Sequence, residues 1–158
     1  MTTSLYPWLQ PYWQDLQSQI DAARLHHAIF ITSANGMGKL ALAKQLAQTL
    51  LCKEPVGWEP CQTCHACQLF TTSVHPDYQL VSSEAGKIIP VDKIRSISQQ
   101  LNERSQLSGN KVVIIEHAES FNMASANALL KTLEEPPIKC TILLLNTQKV
   151  ALLDTIKS

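Results

Sequence analysis

The segment AIFITSANGMGKLALAKQLAQTLL, residues 28–51, decides the fold class of this chain. Residues 28–32 form a short, continuously apolar run, which is typical of a buried parallel strand. A turn containing two glycines follows, and from residue 40 onward leucines recur at helical spacing. The segment therefore predicts a strand, a glycine-containing loop and a helix, in that order.

Further along the chain, strand-like and helix-like segments continue to alternate. Short apolar runs predict more strands, at residues 78–81, 112–115 and 141–145. Apolar residues spaced three or four apart predict more helices, at residues 9–25, 91–101, 123–134 and 150–156. Strands separated by helices favour a parallel sheet with helices on both faces. We therefore predict an α/β fold of three layers, in one domain over residues 1–158.

Composition and charge argue against several classes of protein. The chain has 158 residues, 45% of them hydrophobic, which suits a single globular domain. Lysine plus arginine and aspartate plus glutamate each number 13, so no overall charge indicates a nucleic-acid or membrane partner. No apolar run is long enough for a membrane span, and the N-terminus lacks the features of a secretion signal. We expect a cytoplasmic protein with no membrane partner.

The glycine-containing loop, SANGMGKL at residues 33–40, matches the phosphate-binding pattern G-x-x-x-x-G-K-[ST] only in part. Lys39 fits, and backbone N–H groups around Gly36 and Gly38 would still attract an anion. Ser33 replaces the first glycine, and Leu40 replaces the hydroxyl that normally binds Mg²⁺. The alternative is that the loop never bound nucleotide and that Lys39 is a solvated residue at the start of a helix.

A second ATPase motif in the sequence is also incomplete. Glu116 and His117 follow the strand at 112–115, where P-loop ATPases usually carry Asp and then Glu to hold Mg²⁺ and orient water. Glu116 keeps a carboxylate, but histidine is a poorer match at the position of the base. Because each motif has lost a residue that normally acts together with Mg²⁺, we predict that ATP is not hydrolysed. An active ATPase, supported by Gly38 and Lys39, is the alternative.

Four cysteines are spaced C-x8-C-x2-C-x2-C, which predicts a closed, structural metal site with four sulfur ligands: Cys52, Cys61, Cys64 and Cys67. Zn²⁺ is the preferred ion, and an iron–sulfur cluster or free structural cysteines are the alternatives. We interpret residues 52–67 as an inserted zinc-binding segment and Cys140 as a buried core residue. A zinc-containing nucleic-acid-binding module is a further alternative, weakened by Glu54, Glu59 and the lack of a basic run.

Several motifs resemble one protein family. The most specific is ANALLKTLEEPP at residues 126–137, and YPWL at 6–9, His27-Ala28 and HPD at 75–77 fit the same pattern. With the cysteine insert, they resemble the delta-prime family of bacterial DNA polymerase III clamp-loader subunits over essentially the whole chain. The resemblance implies an AAA+ P-loop core, truncated before the lid and collar domains, with Ser158 as the first residue of a Ser-Arg-Cys motif.

The resemblance also implies a function. Members of this family are expected to be non-hydrolysing members of a five-membered ring that loads the sliding clamp onto primed DNA during replication, as part of the DNA-directed DNA polymerase holoenzyme. Other clamp-loader subunits would be direct partners, and the clamp and DNA would be reached through the complex. Asn146 falls where related ATPases sense the γ-phosphate. The degenerate nucleotide site would then comprise Gly36, Gly38, Lys39, Leu40, Glu116, His117 and Asn146.

Overall fold

The computed structural model describes residues 7–22, 27–33, 38–57, 59–82, 89–103, 109–118, 121–135, 137 and 139–147. The helices are α1 (Gln10–Asp21), α2 (Lys39–Leu51), α3 (His65–Thr71), α4 (Val91–Asn102) and α5 (Met123–Glu134). The strands are β1 (Ala28–Ser33), β2 (Tyr78–Val81), β3 (Lys111–Ile115) and β4 (Cys140–Thr147). A short 3-10 helix, Pro7–Leu9, leads into α1.

The four strands form one parallel sheet in the order β1-β4-β3-β2. β4 lies between β1 and β3, with Phe30 opposite Leu144 and Val113 opposite Ile142. Each of the two central strands is a nearly continuous apolar run, because helices cover both faces of a parallel sheet. The predicted parallel α/β sheet is confirmed.

Alternate residues of the strands point to opposite faces of the sheet and build two cores. On one face, Ile114 and Leu143 pack with side chains of α1 and α2; on the other, Ile115 and Ile142 pack with α4 and α5. All four of these side chains are fully buried, and burial of each stabilises the fold by about 1.5–3 kcal/mol. The predicted three layers, with helices on both faces of the sheet, are thereby confirmed.

The structure differs from the sequence predictions at several boundaries. β4 runs from Cys140 to Thr147, so Asn146 lies within the strand and not after it. The first helix runs from Gln10 to Asp21 with Ala22 as its C-cap, and residues 23–25 of the predicted helix lie outside the described residues. The seven-residue helix α3 lies in a part of the chain for which the sequence predicted no helix or strand. The predicted helix at 150–156 lies outside the described residues.

Among the described helices, none combines the length and the apolar character that crossing a bilayer requires.

Candidate functional site

The four clustered cysteines bring their sulfur atoms together at the end of α2. All four Sγ atoms lie within 4.8 Å of one another, and two pairs, Cys52 with Cys64 and Cys61 with Cys67, are 3.9 Å and 4.0 Å apart. Ligands at about 2.3 Å from a tetrahedral ion lie about 3.8 Å from each other. Bonded sulfurs in a disulfide would be only about 2.05 Å apart. The cluster can therefore bind one metal ion.

Local chain geometry explains how the four thiols converge. Cys52 follows the last residue of α2, Cys64 precedes the first residue of α3, and Cys67 lies in the first turn of α3. Between them Gln62 adopts a left-handed φ of 67°, which lets the chain turn sharply after Cys61. Backbone N–H groups donate to sulfur at 3.3–3.4 Å, from residue 61 to Cys52, from 64 to Cys61 and from 67 to Cys64. Such donors stabilise thiolates.

The thiols differ in how readily they ionise. Burial raises the pKa of Cys52 to about 12 and also raises the pKa of Cys67. Hydrogen bonds from Thr63 lower the pKa of Cys61 to about 6. Buried thiols lose their protons when a cation neutralises the resulting charge, so binding of a metal ion to this cluster is coupled to proton release.

The cysteine segment packs onto the core through α2 and α3. Gln48 Nε2 donates to Gln62 Oε1 at 3.2 Å, which joins α2 to the turn between the cysteines. Phe70 of α3 is buried, and its ring lies 4.5 Å from the Tyr78 ring, centroid to centroid. The cysteine cluster and the sheet are therefore parts of one packed body.

The second candidate site is the loop before α2. Gly38 has a φ of 87°, a left-handed conformation that favours glycine, and its carbonyl accepts the first helical hydrogen bond, from Leu42 N–H at 3.1 Å. Lys39 is the first residue of α2, and Leu40 packs against the core formed with α1 and α2. Leu40 thus contributes apolar contact at the position of a metal-binding hydroxyl. Gly36 lies outside the described residues.

Glu116 and His117 follow β3, at the edge of the sheet where the loop between β1 and α2 also begins. The Ser82 hydroxyl donates to Glu116 Oε2 at 2.5 Å, so this carboxylate already has a partner from the end of β2. His117 has a φ of 57°, which is uncommon for a residue with a Cβ. His117 is the second residue after β3, where the sequence predicts a histidine in place of the carboxylate base of ATPases.

Asn146 is buried near the end of β4, directly opposite Thr32 of β1. Thr32 Oγ1 donates to Asn146 Oδ1 at 2.6 Å. The amide oxygen is thus used to join two neighbouring strands. Because parallel strands end at one edge of the sheet, Lys39, Glu116 and Asn146 share the edge at which α/β proteins bind ligands.

A cleft of about 650 Å³ lies between α1 and β1, and Lys39 forms part of its wall. Exposed Trp8 and Tyr12 line it on the α1 side, and Thr32 lines it at the end of β1. Its volume is in the range of small-molecule sites. A cation beside aromatic and apolar walls can hold an anionic ligand, and the described part of the wall contains one carboxylate, that of Asp15.

The two candidate sites lie at opposite ends of α2. Gly38 precedes this helix and Cys52 follows it, and 13 residues at 1.5 Å each separate them by about 20 Å. A metal ion in the cysteine cluster is too far away to act on a ligand at Lys39. The arrangement favours a structural metal ion.

Sequence reasoning missed several residues that organise these sites. Ser82 and Thr32, which hydrogen-bond to Glu116 and Asn146, belong to no motif and are recognised only once the strands are aligned. Glu59 also binds side chains of two helices. Ser158 lies outside the described residues.

Comparison with known proteins identifies the family. The family model described as DNA polymerase III, delta subunit, matches residues 8–158. Proteins named DNA polymerase III subunit delta' are 42% identical over 154 residues in Escherichia coli (97% of this chain, 46% of the relative) and 43% identical over 155 residues in Pseudomonas aeruginosa (98% and 46%). The chain therefore spans about half the length of these curated relatives.

A solved structure is also similar in fold. The crystal structure of a DNA polymerase III gamma subunit-related protein from Thermotoga maritima matches with a TM-score of 0.60 and 24% identity, covering 92% of this chain and 42% of that one. The parallel sheet, the cysteine segment after α2 and the match over residues 8–158 agree with the resemblance carried by residues 126–137. This chain belongs to the DNA polymerase III delta-subunit family, among relatives named subunit delta'.

Proposed function

We propose that the protein containing this chain is a non-hydrolysing subunit of the clamp loader of DNA polymerase III. Leu40 is the observation that carries the proposal. It occupies the first turn of α2, where an ATPase needs a hydroxyl to bind Mg²⁺, and its half-buried side chain packs against the core. Without that ligand, a nucleotide in this loop lacks the metal that neutralises charge during phosphoryl transfer.

The other side chains of the nucleotide edge support the same proposal. Glu116 is engaged by Ser82, and His117 stands where a carboxylate would orient the attacking water. Lys39 is the first residue of α2, and a lysine there can still attract phosphate. We propose that a degenerate nucleotide site without its catalytic groups is formed by Gly36, Gly38, Lys39, Leu40, Glu116, His117 and Asn146.

The partners follow from the names of the relatives. We propose that the whole protein assembles with other clamp-loader subunits into a ring, and that it reaches the sliding clamp and primed DNA through that complex. Residues 1–158 would form its AAA+ core, with the lid and collar regions in the remaining half of the protein. Its place of action would be the cytoplasm, as part of the DNA polymerase holoenzyme.

We further propose that the cysteine cluster binds one structural Zn²⁺. Four thiolates suit this ion, and the sulfur spacing of 3.9–4.0 Å in two pairs fits its tetrahedral geometry. All four positions would be taken by Cys52, Cys61, Cys64 and Cys67, which leaves none for water or substrate. The ion would cross-link the end of α2 to α3.

Reconstitution of the clamp loader from full-length subunits tests the proposed role. We expect that omitting this subunit abolishes clamp loading, whereas Lys39→Ala in this subunit leaves the loading rate unchanged. The equivalent lysine substitution in a motor subunit serves as the positive control. If Lys39→Ala reduced loading as severely as omission does, the subunit would be using ATP itself, and the alternative of an active motor subunit would be correct.

A further inference from the structure

A short hairpin inside the cysteine segment fixes the direction of Glu59. Val56 N–H donates to the Glu59 carbonyl at 2.8 Å, and Glu59 N–H donates back to the Val56 carbonyl at 2.9 Å. Gly57 supplies a left-handed φ of 58° in the turn. These two hydrogen bonds hold Glu59 immediately before buried Pro60, and the Glu59 side chain extends toward α1 and α2.

The Glu59 carboxylate accepts hydrogen bonds from two helices. Oε1 accepts from Trp13 Nε1 at 3.0 Å and from Gln17 Nε2 at 3.3 Å, both on α1. Oε2 accepts from Gln45 Nε2 on α2 at 3.5 Å. One side chain of the cysteine segment therefore joins α1 and α2, although it is 46 residues from Trp13 in the sequence.

The contact with Trp13 is the most constrained of the three. Trp13 is only 2% exposed, and its indole nitrogen can only donate a hydrogen bond. If Glu59 moved away, this N–H would lose its acceptor inside the protein, which is unfavourable. The position of Glu59 is thus coupled to the packing of α1.

We propose that Glu59 is the positioning residue of the metal site, and that it holds Cys61 close enough to Cys52 for both to bind one metal ion. Glu59 lies two residues before Cys61, separated from it only by Pro60, and Gln45 lies on the helix that Cys52 follows. Glu59 therefore anchors the loop between the first two ligands to α1 through Trp13 and, through Gln45, to α2, the helix that Cys52 follows. Removing the anchor frees Cys61 before metal binding, so part of the binding free energy must be spent on ordering the loop.

The affinity of the full-length protein for Cd²⁺ tests this role, because Cd²⁺ bound to thiolates has a charge-transfer absorbance that reports ligation directly. We expect Glu59→Ala to weaken Cd²⁺ binding about tenfold, within the range typical of residues that orient metal ligands. Glu59→Gln keeps an acceptor and should recover most of the affinity. Glu54→Ala removes the same charge from the same segment, and we expect wild-type affinity.

A double-mutant cycle with Trp13→Phe separates positioning from general destabilisation. If the hydrogen bond to Trp13 transmits the effect, Trp13→Phe with Glu59→Ala should bind Cd²⁺ no more weakly than Glu59→Ala alone. Equal affinities for Glu59→Ala and Glu54→Ala, or additive losses in the cycle, would overturn the role of Glu59. The inference rests on the proposed metal site, and a wild-type protein that binds no Cd²⁺ would overturn that site as well.

Discussion

Replacing Cys64 by serine should abolish the effect of zinc on the stability of the protein. Cys64 Sγ lies 3.9 Å from Cys52 Sγ, and it also accepts a hydrogen bond from Cys67 N–H at the start of α3. Serine is a good residue at the start of a helix, so the substitution keeps a capping acceptor. It removes one of the four sulfur ligands, and the loss of metal binding is therefore its main expected effect.

The size of the zinc effect follows from linkage. A ligand that binds only the folded state, at about 100 times its dissociation constant, raises the free energy of unfolding by about 2.7 kcal/mol. In a chain of this length 1 kcal/mol corresponds to roughly 2–4 °C in Tm. Zinc at that concentration should thus raise the wild-type Tm by about 5–11 °C. The Tm of Cys64→Ser should not respond.

Thermal unfolding followed by circular dichroism, with zinc or with a chelator, measures both shifts. Cys140→Ser is the matched control, because Cys140 is a buried thiol in β4 that belongs to the core and not to the cluster. It should lower the Tm with and without zinc but keep the full zinc shift. A Cys64→Ser protein that gains as much as wild type from zinc would refute the four-thiolate site.

Three other predictions concern the stability of the fold. Burial lowers the pKa of His75, so at low pH the unfolded chain binds a proton that the folded chain does not. The free energy of unfolding should therefore fall as the pH drops below about 6.5, by at most about 1.4 kcal/mol per pH unit. In urea unfolding, His75→Gln should make this pH dependence less steep. Asn122→Ala removes the acceptor for Ser125 N–H at the start of α5 and should cost about 1 kcal/mol, whereas exposed Asn127→Ala should cost less than half of that. Leu129→Ala, in a fully buried position, should cost about 2–5 kcal/mol by the same assay.

The elements predicted most accurately from the sequence are those whose apolar residues recur regularly because one face is buried in the core. β2 and α5 have the predicted bounds, Tyr78–Val81 and Met123–Glu134. In α5 the periodic pattern is clear because Leu129 and its neighbours on the helix bury one face. The convergence of the cysteines was also predictable, since their spacing alone permits chelation. Local periodicity and local spacing were sufficient for these features.

Features that depend on contacts between distant residues could not be predicted. Helix α3 has seven residues, too few for a periodic signal, and it begins where Cys64 accepts a hydrogen bond from Cys67 N–H. Asn146 lies inside β4 because the strand continues far enough to pair with Thr32, which is 114 residues away in the sequence. No pattern within one segment encodes such a pair.

ATP turnover by the purified full-length protein tests the central claim most directly. With saturating ATP and Mg²⁺, we predict no hydrolysis above that of Lys39→Ala, because Leu40 and His117 cannot hold the metal ion or orient the attacking water. Turnover at about 1 per second or faster, abolished by Lys39→Ala, would contradict the claim that this nucleotide site has lost its chemistry.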